Sequence, residues 1–217
     1  SIQQDHKSVW IAQREGRAKD NSDQTQPSVL KMIASSQSND PLTQLMRVNI
    51  APTTISYEYD PCDILKACEL LWRKHHPNEQ YVKGPEEDLI NMKTGLLGYK
   101  GRVHFAVGTR LNELITPELE AELRALPKQQ LYPRIATIID TELHSNYRLY
   151  PINYIAYDLL HPDKAHPKEL YSEADKEKTL HYLEGQIAKA PTDAYSTDEL
   201  RTQLLQMYAQ PILNGQH

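Results

Sequence analysis

Apolar and polar positions recur along the chain at two periods, one suited to strands and one to helices. Val9-Trp10-Ile11-Ala12 is a short apolar run of strand character that stops at Gln13. Pro27 then marks a helix start, with Val29, Leu30, Ile33 and Ala34 at helical spacing. Residues 35–39 break that helix. Asp40-Pro41 restarts one as N-cap and first-turn proline, with Leu42, Leu45 and Met46 on one face. Residues 48–59 are rich in β-branched and aromatic side chains and form the second strand candidate. Pro52 inside it removes a ladder hydrogen bond, which demands a strand end, an edge or a bulge. Pro61 opens a helix to about His75, whose apolar side carries Ile64, Leu65, Ala67, Cys68, Leu71 and Trp72. Glu86-Glu87-Asp88 supplies acids to the first turn of another, through about Leu97. Gly98 and Gly101 close it and lead into a third strand over 102–107.

From Thr116 the pattern turns almost entirely helical. Thr116-Pro117-Glu118 is an N-terminal signature, and Ile135, Ile138, Ile139 and Leu143 follow at helical intervals. Residues 151–160 predict a short apolar helix, too short to cross a bilayer and suited to core packing. Pro162 and Pro167 mark a linker. The last fifty residues predict two amphipathic helices, one striped by Leu180, Leu183 and Ile187, the other by Leu200, Leu204, Leu205 and Tyr208. Ala190-Pro191-Thr192-Asp193 separates them, so an antiparallel pair with solvated charged faces is expected. Strands that alternate with helices imply a layered α/β domain. The expected architecture is therefore a partial α/β domain of about three strands over 1–112, followed by a mainly helical C-terminal extension over 113–217.

Composition narrows the function classes. The chain has 217 residues, 39% of them hydrophobic, and no run of about 18 apolar residues. Its start carries no signal-peptide pattern. A net charge of -5 argues against a general nucleic-acid binder. Cys62 and Cys68 match no zinc or redox spacing and are expected reduced and semi-buried in a cytoplasmic protein. The nine histidines lack metal spacing, so no metal is expected; His75-His76 suits the end of a helix as a cationic cap. The chain opens on a polar lead over 1–8, without an initiator Met, and passes straight into an apparently central strand. A piece of something longer is the expectation.

Candidate chemistry gathers where the first apolar run ends. Arg14, Glu15, Gly16, Arg17 and Lys19 follow within a few positions. Gly16 lets the backbone turn, the arginine forks can grip phosphate oxygens, and Lys adds a point charge. A phosphate loop is one reading, and a polar loop that faces water is the other. The stripes on 27–34 and 41–47 are either core contacts or the wall of an acyl-chain groove. Pro52 either shapes a pocket wall or occupies an edge position without function.

Three blocks resemble the later portion of the glycerolipid acyltransferases, the family acting on glycerol 3-phosphate and 1-acylglycerol 3-phosphate. The first is Trp10-Ile11-Ala12-Gln13-Arg14-Glu15-Gly16-Arg17, an apolar strand followed by Glu-Gly and Arg. The second runs from Val48 through Pro52 to Tyr57-Glu58, an ending closer to the glycerol-3-phosphate branch. The third, Arg102-Val103-His104-Phe105-Ala106-Val107-Gly108, resembles a strand ending in Phe-Gly with Ala106-Val107 inserted. Together the blocks cover about the first 110 residues, and the helical remainder agrees loosely. Arg17 follows Gly16 directly where the family places one residue between, so either Arg17 or Lys19 takes the phosphate-binding role. The family's catalytic motif, His with Asp five positions later, does not occur at any of the nine histidines.

The resemblance implies a phospholipid-synthesis enzyme that transfers a fatty acyl group from a thioester, acyl-CoA or an acyl-carrier protein, to glycerol 3-phosphate or a lysophospholipid. A His held by its Asp deprotonates the hydroxyl, a step that typically contributes ~10²–10⁴-fold. This chain supplies the acceptor-phosphate residues Arg14, Glu15, Gly16, Arg17 and Lys19, with Glu15 ordering the loop. It supplies no catalytic residue, needs no cofactor, and is expected to be inactive alone without a missing N-terminal segment. The parent protein is expected in the cytoplasm, with peripheral contact at the inner face of the membrane. A second reading is a non-catalytic interaction domain that docks a partner on the terminal helix pair. A phosphatase or kinase fragment is disfavoured, because no Gly-rich P-loop or acidic metal cluster occurs.

Overall fold

The computed structural model describes residues 8–13, 20–35, 40–164 and 168–215. The fold is mostly helical, 61% of the chain, with ten helices and a two-stranded antiparallel sheet among the described residues. Packing divides the chain into two units, each drawn from separated stretches. One comprises residues 8–13 with Asp23–Ile55 and Phe105–Tyr147; the other comprises residues 20–22 with Ser56–His104 and the chain from Arg148 onward. The division expected between 112 and 113 runs along the chain, whereas these units interleave its segments.

The first unit contains α1 (Pro27–Ala34), α2 (Pro41–Arg47), α5 (Leu111–Leu114), α6 (Pro117–Ala125) and α7 (Lys128–Ser145). The two helices between α2 and α5 in the chain belong to the other unit. The Asp40 carboxylate caps α2 by accepting from the Thr43 N–H at 3.2 Å, as its place before Pro41 predicts. Leu30, Ala34, Leu42, Leu45, Leu111, Leu123, Ile135 and Ile139 close one core between these helices. At about 25 cal/mol per Å² of apolar area, that burial is what holds elements this short together.

The second unit contains α3 (Asp63–His75), α4 (Glu87–Leu97), α8 (Pro151–Leu160), α9 (Glu173–Ile187) and α10 (Thr197–Asn214). The α3 helix ends as its histidines predict, with His76 Nδ1 and the His76 N–H both on the Trp72 carbonyl at 2.9 Å. Its core joins α3 to α8, α9 and α10 through Ile64, Ala67, Leu71, Ile152, Ala156, Leu183, Leu204 and Met207. The apolar α8 is thus a core helix. Its buried Asn153 accepts the Tyr150 N–H and donates to the Tyr208 carbonyl, each at 2.8 Å, which ties α8 to α10. Pro211 inside α10 cannot donate to the Met207 carbonyl. The Asn21 side chain does so instead at 2.9 Å, and Asn21 takes a left-handed backbone, φ 60, to reach it. One stripe differs from expectation. Leu180 is exposed, and α9 buries Thr179, Leu183 and Ile187 instead, a strict four-residue repeat. Neither Cys62 nor Cys68 forms a disulfide, and both are buried.

Strands β1 (Thr53–Tyr57) and β2 (Val103–Val107) pair antiparallel, bounded by the Gly108 N–H on Pro52 and the Glu58 N–H on Arg102. Each unit takes one end of this ribbon. Within its own unit each inward hydroxyl is used: Thr54 donates to the Leu143 carbonyl at 3.0 Å, and Ser56 accepts the Arg148 N–H at 2.9 Å. The apolar residues Val103, Phe105 and Val107 point outward and are exposed. The expected strand at Val9–Ala12 does not form. Those residues are extended but exposed, with no ladder partner among the described residues. An isolated strand leaves its backbone donors and acceptors unpaired, so apolar pattern alone cannot make one. Two of the three expected strands therefore exist, and they form a ribbon in place of a layered sheet.

Candidate functional site

The first unit encloses a groove of about 1290 Å³. One wall is the extended segment Val9–Gln13, here residues 9–13. Another is α1, which presents Val29, Met32 and Ile33. The floor is the stretch from Arg47 to Thr53, and Leu30, Ile139 and Leu143 back it from the core. The walls are anchored locally. The Gln26 N–H donates to the Gln13 carbonyl at 2.9 Å, and the Trp10 ring stacks on Phe105 with centroids 6.2 Å apart. Behind them α7 grips the 23–26 segment: Asp140 accepts the Thr25 N–H at 2.8 Å, and His144 Nε2 contacts the Asp23 carbonyl at 2.8 Å.

The floor follows from how α2 ends. Asn49 adopts a left-handed backbone, φ 51, one of the few non-glycine residues that tolerates it. That turn ends the helix after Arg47 and sends the chain through Ile50 and Pro52 into β1. Pro52 is buried, lines the groove, and accepts from the Gly108 N–H at 2.8 Å. Gly108 sits close to α7: a Cβ there would lie 2.8 Å from Glu142 Oε1, which already receives the Thr109 N–H, so the Glu142 side chain would have to shift. The stripe of α2 goes to the core, and that of α1 divides. Leu30, Ala34, Leu42 and Leu45 enter the core, while Val29, Met32 and Ile33 face the groove.

Ser8, Gln13, Thr25, Gln44, Arg47, Asn49 and Thr53 are the polar residues of the lining. Thr25 is only 7% exposed, and its Oγ1 has no hydrogen-bond partner; the same holds for the Nε2 of Gln13. A buried polar group left unsatisfied costs about 1–3 kcal/mol. The exposed Arg47 is paired with no acid among the described residues. Arg110, Arg124 and Arg134 of the same unit are each paired with a carboxylate. Asp40 is held down to about 2, chiefly by the Thr43 hydroxyl and then by Arg124, which also clasps Glu120.

The phosphate candidates Arg14, Glu15, Gly16, Arg17 and Lys19 lie outside the described residues. In sequence they follow directly on the groove wall at Gln13. Among the described residues no cluster of His, Cys, Asp and Glu could hold a metal ion, and no helix is long and apolar enough to cross a membrane. Arg47 and Thr25 escaped sequence reasoning. Arg47 reads as an ordinary last-turn cation on a helix, and nothing in the pattern distinguishes Thr25 from a polar linker residue. Compared with protein-family models, with curated proteins and with solved structures, the chain matches none.

Proposed function

We propose that this chain is the acceptor-binding part of a glycerolipid acyltransferase, a partial α/β domain of that family with a helical extension. The reaction moves a fatty acyl group from acyl-CoA or an acyl-carrier protein to glycerol 3-phosphate or a lysophospholipid. The observation that carries the reading is the apolar groove, whose wall at residues 9–13 runs straight into Arg14-Glu15-Gly16-Arg17. A largely apolar slot whose wall continues in sequence into a cationic stretch suits a ligand with a hydrocarbon chain and a phosphate. In this scheme Arg14, Arg17 and Lys19 fix the acceptor phosphate and thereby present its hydroxyl, a positioning contribution to rate. Glu15 orders the loop and Pro52 shapes the pocket. The base and its acid, which no His-x4-Asp in these residues provides, come from a segment outside them.

The interaction-domain reading is less well supported, because Leu183, Leu200, Leu204, Leu205 and Tyr208 of the terminal helices are buried in their own unit. The test is calorimetric titration of glycerol 3-phosphate into the chain and its Arg14→Ala/Arg17→Ala variant. Binding is expected to fall by tenfold or more in the variant, since each charge-assisted contact contributes about 1.5–3 kcal/mol. Equal affinity would reject the phosphate role.

A further inference from the structure

Asn21 and α10 are joined by two hydrogen bonds in opposite directions. Pro211 lacks the N–H that would close the helical turn on the Met207 carbonyl. The Asn21 Nδ2 donates to that carbonyl at 2.9 Å, and the Asn214 Nδ2 donates in return to the Asn21 carbonyl at 2.9 Å. Asn214 is itself held in orientation, because its Oδ1 accepts from the Gln210 Nε2 at 2.9 Å. Asn21 adopts its left-handed backbone, φ 60, to make both bonds, and the Ser22 N–H closes the turn on the Asp20 carboxylate at 3.1 Å. The bonded residues are 186 and 193 positions apart, and they fasten residues 20–22 to α10 within the second unit. Lys19 precedes Asn21 by two residues and Arg17 by four.

We infer that Asn21 and Asn214 are positioning residues for the acceptor phosphate: they fasten the chain just after Lys19 to α10 and so preorganise the cationic stretch for its anion. This rests on the phosphate reading of Arg14, Arg17 and Lys19 given above. The physical basis is conformational. A chain end fixed to a helix limits the backbone states open to the residues before it. An anion gripped by several cations then has less to order when it binds. Neither asparagine touches the anion; both act through the backbone between them and the cations. Pro211 makes the arrangement possible, since a residue with an N–H at that place would satisfy Met207 from within the helix and compete with Asn21.

The test is calorimetric titration of glycerol 3-phosphate into the chain and three variants, with the urea midpoint of each measured alongside. Asn21→Gly keeps the left-handed backbone and removes the side-chain bond. It is expected to bind about fivefold more weakly, the scale of lost preorganisation at one chain end. Asn214→Ala removes the return bond and is expected to weaken binding in the same direction. Asn21→Gly/Pro211→Ala gives the Met207 carbonyl a helical donor again while the tie from residue 21 stays cut. That variant is expected to regain the urea midpoint lost in Asn21→Gly and to remain about fivefold weaker in affinity. Residues that only complete the helix would behave otherwise, with affinity returning alongside stability. Affinity that follows the urea midpoint across the three variants therefore overturns the inference, and so does wild-type affinity in Asn21→Gly. Loss of binding in Arg14→Ala/Arg17→Ala with none in Asn21→Gly overturns the inference alone and leaves the phosphate reading standing. Undiminished binding in the arginine variant, or no binding by the wild type, overturns that reading and the inference with it.

Discussion

Asp63 is fully buried at the start of α3, and its Oδ2 accepts hydrogen bonds from the hydroxyls of Tyr182 and Tyr208, each at 2.7 Å. Loss of hydration raises its carboxyl to about 6, against the opposing pull of those two hydroxyls. The folded form therefore binds the proton more tightly than the unfolded chain, in which an aspartate titrates near 3.9. The sign follows: the stabilisation is complete below about pH 4 and is lost as pH rises through 6. A shift of this size corresponds to roughly 3 kcal/mol. Asp63→Asn is expected to flatten that change between pH 4 and 6. Urea unfolding at several pH values, followed by Trp72 emission in a Trp10→Phe background, checks it; equal pH slopes for both proteins would refute it. Asp40, held down at about 2, acts with the opposite sign at lower pH. Its side chain is 44% exposed, so solvent screening reduces that contribution.

Among elements, α4 and α10 show how the same residue types can end in opposite environments. The α4 helix turns Asn91, Thr94 and Gly95 inward and leaves Leu89, Leu96 and Leu97 more than two-thirds exposed. Gly98 at its end fits closely: an added Cβ would lie 2.6 Å from Pro61 Cβ. In α10, by contrast, Leu204 is completely buried among α3, α8 and α9. Leu204→Ala is expected to cost about 2–5 kcal/mol, the usual range for a buried leucine. Leu96→Ser with Leu97→Ser is expected to change stability by less than about 1 kcal/mol. Urea midpoints with unchanged slopes measure both, and a large cost for the α4 pair would mean that its outer face is covered in solution.

At the scale of the whole molecule, the two units interleave along the chain, and the candidate site belongs wholly to the first. That site holds binding groups without a His-x4-Asp base. The purified chain is accordingly expected to form no acylated product from acyl-CoA and glycerol 3-phosphate. A labelled-acyl assay checks this, and turnover that exceeds the uncatalysed rate would show that another residue acts as base.

Helix positions were legible in the residues themselves, because caps and periodicity are local. Asp40-Pro41, Thr116-Pro117 and the stripe through Leu200, Leu204 and Tyr208 each specify an element without reference to the rest of the chain. Residues 14–19 lie outside the described residues, and their cationic character is a matter of composition alone. Environment was not legible. Val9-Trp10-Ile11 has the pattern of a buried strand and lies exposed along a groove, since a strand needs a partner that no local signal supplies. Leu180 and the leucines of α4 likewise look like core residues and face outward. Arg47 gained its interest only when the left-handed turn at Asn49 and the packing of α1 placed it on an apolar wall. Local hydrogen bonding and periodicity determined which segments are helices. Only long-range packing, in which distant segments compete for the same buried surface, decided which apolar faces close into cores and which remain exposed.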